Sequence, residues 1–331
     1  MKALVYTSPR TLELRDEPEP KVPEGESLVR VEAVGICGSD MHAYLGHDDR
    51  RPAPLILGHE AAGVVVRGPL EGKRVTVNPL ATCGKCRACL TGRNNLCPNR
   101  QILSMMPRQG AFAEFIAIPA ENLVEVPDNV SFAKACLAEP LACGWHGVRL
   151  GSAALDMAIA DAKCLVIGGG AIGLGAALAL KANGAGEVTI SEANPRRTEA
   201  LAAAGDFRIA TPDQIAAQPG GSYDLVIDGV GFAATRAAAS REARPGGAIV
   251  HIGLGDAEGG LDIRRMTLQE ITFIGAYTYT PQDFRDTAAA IFDGRLGRLD
   301  WPEVRALEGG AEAFAGILKG RVTAPKIVLE P

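Results

Sequence analysis

The pattern of apolar and polar positions changes character near residue 140. Before it, apolar residues come in short valine-rich runs at 27–34, 62–67, 74–77 and 113–118, with Gly and Pro breaks between them. Runs of that length and composition predict strands, and the first part of the chain reads as β-rich and barrel-like. After residue 140 the pattern alternates. The apolar, partly branched run Lys163–Ile167 leads into a glycine-rich turn and an alanine-rich helical stretch. Further strands are predicted at 187–191, 223–228, 248–253 and 271–275, with helices at 198–204 and 232–241 among them. Alternating strands and helices predict a doubly wound parallel sheet. A last apolar run at 325–330 predicts one more strand.

Composition narrows the class. With 331 residues, the chain is long enough for two domains and needs no disulfides to be stable. Its 47% hydrophobic and 22% charged content is that of a globular protein. A net charge of −5 argues against nucleic acid as a partner, because no basic excess offsets phosphate. Residues 164–180 carry no charge, which is the lower limit for a membrane span. They also hold Gly168, Gly169, Gly170, Gly173 and Gly175, and a buried strand, turn and helix explain the run better. The N-terminal stretch has no apolar core of the signal-peptide kind. The expected location is cytoplasmic, where thiols stay reduced.

Cysteines carry the most specific signal. Cys83, Cys86, Cys89 and Cys97 lie within TCGKCRACLTGRNNLCPN. Four thiolates at that spacing suit a tetrahedral zinc, and a site of four cysteines has no open position, so the ion is expected to be structural. The segment 82–98 has too few apolar residues for a core, and metal is expected to hold it together. Cys37 stands apart in VGICGSDMH, and His59 and Glu60 follow in LGHEAAG. A thiolate, an imidazole and a carboxylate can make an open, catalytic type of zinc site. Cys136, Cys143 and Cys164 read as core residues. Ser39 and Asp40 also read as helix N-caps.

Together the segments CGSDMH, GHEAAG, CGKCRACLTGRNNLCP and AEPLA resemble the zinc-dependent medium-chain dehydrogenases, and most closely their sorbitol, xylitol and L-idonate (polyol) branch. The resemblance spans the whole chain. It implies an α/β protein with a GroES-like β-rich catalytic domain and a Rossmann coenzyme domain. The expected extents are 1–142 for the catalytic domain, 143–280 for the coenzyme domain, and 281–331 for a return to the first. By resemblance, Cys37 and His59 correspond to catalytic zinc ligands. Glu60 and Glu139 supply the carboxylates, either of which could bind directly or through water. Ser39 matches the hydroxyl beside the substrate oxygen, and His42 the residue that passes the proton to solvent. Asp40 would hold His59 in one tautomer. One departure is a shortened loop at 67–74.

In the second half, Gly168, Gly170 and Gly173 form G-x-G-x-x-G between a predicted strand and a predicted helix. There, small residues admit a pyrophosphate to the helix N-terminus. Ala171 and Ile172 belong to the same turn. Val230, Gly253 and Leu254 lie past predicted strand ends, where this fold binds its ligand. Glu192 ends the second strand and can accept ribose hydroxyls, which favours NAD over NADP. Arg196 and Arg197 follow it, and Arg197 could contact either the ribose or a phosphate. The polyol branch has Arg then an aromatic where this chain has Tyr277, Thr278 and Tyr279. Thr278 replaces the Arg, which suits an uncharged polyol better than a sugar acid. His47, Asp48, Asp49, Arg50 and Arg51 read as a solvated loop, with lining of the site entrance as the alternative.

The resemblance therefore implies a dehydrogenase that oxidises a secondary alcohol of a polyol or sugar-derived substrate. A zinc alkoxide would form and its hydride would pass to NAD. Two zinc ions per chain are expected, one catalytic and one structural. A homodimer or homotetramer is implied, with a small-molecule alcohol as substrate and with neither nucleic acid nor membrane as partner. The alternatives are an L-threonine 3-dehydrogenase, a simple alcohol dehydrogenase and, in another class, a non-catalytic zinc-binding protein.

Overall fold

A computed structural model describes residues 1–331. The chain forms two compact units. The first comprises Met1–Glu139, Thr280–Asp293 and Pro302–Pro331. The second comprises Pro140–Tyr279 and Gly294–Trp301, so this last short piece lies outside the single return after 280 expected from the sequence.

The first unit is built on a mixed sheet. Its central strand is β1 (Glu26–Gly35), ten residues with buried valines at Val29, Val31 and Val34. Along one edge β1 pairs antiparallel with β2 (Glu60–Arg67). Along the other edge it pairs with Phe115–Pro119 at one end and with the C-terminal strand Ile327–Glu330 at the other. Two of these strands differ from the expected bounds. β2 begins at Glu60 because Glu60 pairs with Gly35. The strand expected from residue 113 begins at Phe115, since Ala113 instead bridges to Ala3. Aromatic side chains fill the core beneath. Phe314 lies 5.2 Å from Tyr44 and 5.8 Å from Phe112, the latter edge-to-face.

The second unit holds a six-stranded parallel sheet: β3 (Lys163–Ile167), β4 (Glu187–Ser191), β5 (Arg208–Ala210), β6 (Tyr223–Asp228), β7 (Ala243–His251) and β8 (Thr272–Gly275). Their order is β5-β4-β3-β6-β7-β8. Leu165 and Val166 point to opposite faces and both are buried, as in a sheet covered on both sides. β7 starts five residues before the expected 248, since Ala243 already pairs with Tyr223 and the register then shifts. The uncharged run at 164–180 resolves into most of β3, the glycine turn and most of a twelve-residue helix, Ala171–Ala182. No helix is long and apolar enough to cross a membrane.

Phe314 has no exposed surface and contacts two other rings. Phe314→Ala is expected to cost about 3–5 kcal/mol, read as a lower midpoint in denaturant unfolding.

Candidate metal centres and nucleotide turn

The four-cysteine lobe is assembled without a core of its own. Its sulfurs lie 3.5 Å apart for Cys86–Cys89 and Cys83–Cys97, and 4.0 Å apart for Cys83–Cys89. A tetrahedral ion with zinc–sulfur bonds of about 2.3 Å needs sulfurs about 3.8 Å apart. None of the four is in a disulfide. Backbone amides of Lys85 and Cys86 draw the Cys83 thiol down to about 6, while burial pushes Cys89 up to about 11. The set fits zinc.

The second cluster starts at α1 (Gly38–Tyr44). Cys37 is its N-cap, displacing the expected Ser39 or Asp40. Asp40 instead sits in the first turn, and its carboxylate accepts the Cys37 amide at 2.9 Å and the Gly58 amide at 3.2 Å. This one buried carboxylate therefore ties together the segments bearing Cys37 and His59. Asp40 Oδ1 also faces His59 Nδ1 at 3.4 Å. Burial works to lower the His59 pKa, but Asp40 and Cys37 outweigh it and hold the imidazole well above its ordinary value.

Donor atoms of Cys37, His59 and Glu60 all lie within 4.8 Å of one another. Glu60 Oε2 is buried and has no hydrogen-bond partner, so a donor atom stands unused. A thiolate, an imidazole and a carboxylate form a donor set suited to zinc. Glu139 falls outside this three-residue group; it lies buried at the start of α2 (Ala138–Ser152). Its charge is nevertheless felt by Lys326. Ser39 is half-buried on α1, and His42 is exposed in the last turn.

Two residues at this site had escaped the sequence reading. Lys326 reaches Glu60 from the end of the chain, at 2.6 Å. No local pattern marks it, because its partner is 266 positions away. Arg51, expected in a solvated loop, is 3% exposed. It donates to the carbonyl of Ser39 at 3.3 Å, to Asp48 at 2.8 Å and to the carbonyl of Ser104 at 3.1 Å. His47, Asp49 and Arg50 are exposed as expected. Of the three cysteines read as core, Cys136 and Cys164 are buried and Cys143 is half-buried. Burial pushes Cys164 up to about 12.

In the second unit the glycine turn joins β3 to α3 (Ala171–Ala182), whose N-cap is Gly170. A Cβ at Gly173 would overlap the carbonyl of Gly168, which closes that position to every side chain. The turn meets the loops after β6 and β7. Val230 packs on Gly168, and Gly231 lies against Gly253. Buried Asp228 fixes this junction, accepting the amides of Val230 at 3.0 Å and Gly231 at 2.9 Å and the Thr235 hydroxyl at 2.9 Å. Glu192 accepts from the Gly169 amide at 2.7 Å and the Asn194 amide at 2.6 Å, and Arg197 stands 3.6 Å away. Leu254 is exposed. Tyr277 is half-buried and Tyr279 fully buried. Thr278 has φ +47°, rare for a β-branched residue, and its buried hydroxyl has no partner.

A parallel sheet with a dinucleotide turn, in a chain that also carries two metal-donor clusters, defines an oxidoreductase of the two-domain alcohol dehydrogenase build. Residues 23–128 match the alcohol dehydrogenase GroES-like domain, and residues 171–293 match the zinc-binding dehydrogenase family. The L-galactonate-5-dehydrogenase of Escherichia coli is 31% identical over 89% of this chain and 88% of its own length. The sorbitol dehydrogenase of Ovis aries is 32% identical over 84% of this chain and 82% of its own. A zinc-binding dehydrogenase from Sinorhizobium meliloti, solved with NADP, superposes with a TM-score of 0.88 at 27% identity, covering 100% of this chain and 99% of its own. The chain belongs to the zinc-dependent medium-chain dehydrogenases, and polyol dehydrogenases are among its relatives.

Two outcomes are expected. Cys89→Ser removes one sulfur of the lobe, so metal analysis should find less zinc, and proteolysis should cut more readily within residues 82–98. Zinc uptake at the second cluster should strengthen as pH rises. The metal-free His59 stays protonated above its ordinary 6.5, and zinc takes only neutral imidazole. Competition against a zinc indicator across a pH series should therefore show affinity still climbing above that value; a flat profile would refute the assignment.

Proposed function

We propose that this chain is a zinc- and NAD-dependent dehydrogenase that oxidises a secondary alcohol of a polyol or sugar-derived substrate to the ketone. The observation that carries the reading is the cluster of Cys37, His59 and Glu60 with an unused carboxylate oxygen. When bound, zinc supplies positive charge that lowers the pKa of the substrate hydroxyl, and NAD supplies the hydride acceptor. Cys37 and His59 hold the metal, with a carboxylate from Glu60 or Glu139 completing the set. Ser39 Oγ takes the hydroxyl proton, and the exposed His42 imidazole passes it to solvent. Asp40 orients the His59 ring from its Nδ1 side. The four-cysteine lobe holds a second, structural zinc.

Coenzyme preference follows from Glu192. Its carboxylate is buried at the end of β4, where a 2′-phosphate would meet its negative charge. That supports NAD here, although the Sinorhizobium meliloti neighbour was solved with NADP. Gly168, Gly170, Ala171, Ile172 and Gly173 cradle the pyrophosphate, Arg197 stands with Glu192 at the ribose, and Val230, Gly253 and Leu254 meet the coenzyme past the strand ends. Tyr277, Thr278 and Tyr279 form the substrate-contact segment. The Thr278 hydroxyl is free for a neutral substrate hydroxyl. β8 lies at the edge of its sheet with Phe273 partly exposed, which supports pairing with a second copy of the chain.

The test is a panel of polyols, sugar acids, L-threonine and simple secondary alcohols, each with NAD and with NADP, followed by absorbance of the reduced nicotinamide. Polyol turnover with NAD is expected. Turnover of L-threonine alone would sink the polyol reading. Cys37→Ser should abolish turnover while NADH still binds.

A further inference from the structure

Shortly after β7 the chain passes through GLGDAEGG, residues 253–260. Four of these eight residues are glycines, and the one large side chain, Leu254, is 72% exposed. Apolar burial therefore cannot hold this loop, and its glycines make it costly to order. A cation does the holding. Arg236 lies on α4 (Ala233–Glu242) and is 6% exposed. Its Nε donates to the carbonyl of Gly259 at 2.6 Å, and Nη1 to the carbonyls of Gly231 at 2.8 Å and Asp256 at 3.1 Å. Nη2 donates to the Asp256 carboxylate and to the carbonyl of Glu258. Every N–H of the guanidinium thereby has an acceptor. Asp256 closes the clasp. Its amide donates to the Gly231 carbonyl at 3.0 Å, and its carboxylate accepts the Ala233 amide at 3.1 Å. A Cβ at Gly253 would overlap the carbonyl of Val230, and one at Gly260 that of Ala233, so both ends of the loop press on the segment after β6.

We propose that Arg236 is a positioning residue for the nicotinamide half of the coenzyme, folding the loop 253–260 into the shape that receives it. This rests on the coenzyme reading above. With Glu192 at the adenosine ribose and the glycine turn at the pyrophosphate, the coenzyme runs from the end of β4 to the end of β3. In the strand order β5-β4-β3-β6-β7-β8 its far half then falls past β6 and β7. Arg236 ties together the two segments that stand there. It binds the Gly231 carbonyl after β6, and those of Asp256, Glu258 and Gly259 after β7. Released from the guanidinium, a loop so rich in glycine samples many shapes, and affinity falls with the fraction that still fits. The adenosine and pyrophosphate contacts stand on other elements and do not share that cost.

The experiment titrates the zinc-loaded, full-length protein and its Arg236→Met variant with NADH and, separately, with ADP, which lacks the nicotinamide half. NADH affinity should fall about tenfold, as when one loop shape in about ten still fits, while ADP affinity stays within about twofold. An arginine that merely stabilised the second unit would, on removal, weaken both ligands alike. That result overturns the proposal, and so does unchanged NADH affinity. Asp256→Ala takes the partner carboxylate from an exposed position and should show the same split between NADH and ADP, which keeps the test open if Arg236→Met fails to fold. NADH binding as tight as wild type in Asp256→Ala counts against the proposal. If wild type binds both NADH and ADP and the variants lose both alike, the coenzyme reading survives and only the role of Arg236 falls. A wild type that binds neither overturns both.

Discussion

The antiparallel pairing of Val328 with Gly35 and Leu329 with Val34 closes the first unit across almost the whole chain. The surroundings of the Glu60 carboxylate depend on it. It sets Lys326 beside the carbonyl of Ile36 and within reach of Glu60, and it buries Ile327, Val328 and Leu329 in the sheet. Contacts so distant in sequence carry a loop-closure cost that local contacts avoid. The apolar strand offsets that cost through burial, and the lysine just before it is carried into a place where an isolated cation could not remain.

Charge is the second organising constraint. Asp40, Glu60, Lys326 and His59 are all nearly inaccessible to water. Such groups persist only when each is answered by a partner. Asp40 is answered by two backbone amides and by His59, and Lys326 by Glu60 and a carbonyl. The exceptions are Glu60 Oε2 and His59 Nδ1, buried atoms without a hydrogen-bond partner, the second of them 3.4 Å from Asp40 Oδ1. In the second unit the equivalent economy is made with backbone amides, gathered by Asp228 and Glu192 at the strand ends.

Much of this was legible in the sequence, for identifiable reasons. β3, β4 and β6 fall at their expected bounds because a buried parallel strand is apolar on both faces and stands out from the turns around it. Cys83 to Cys97 and the Gly168–Gly173 turn are legible because each concentrates its chemistry within a few residues. Lys326 was invisible because a single lysine before an apolar run looks like any solvated strand end. Arg51 was misread because a run of charged residues is usually solvated, and nothing local says that Ser39, Asp48 and Ser104 will converge on it. The start of β7 was missed because Pro245, Gly246 and Gly247 mask a pairing that resumes after a register shift. Burial of ionic groups is a tertiary property, and that is where reading along the chain stopped.

The two hydrogen bonds of Glu192 have a further consequence. The carboxylate proposed above to meet the coenzyme ribose also holds the amide of Gly169, in the middle of the glycine turn, and that of Asn194, at the start of the following loop. On that proposal, coenzyme choice and the shape of the turn share one side chain. An engineer exchanging Glu192 for a neutral or basic residue to change the coenzyme would release two amides as well. Redesign toward a phosphorylated coenzyme has to supply new acceptors for Gly169 and Asn194 before any cation is added to meet the phosphate.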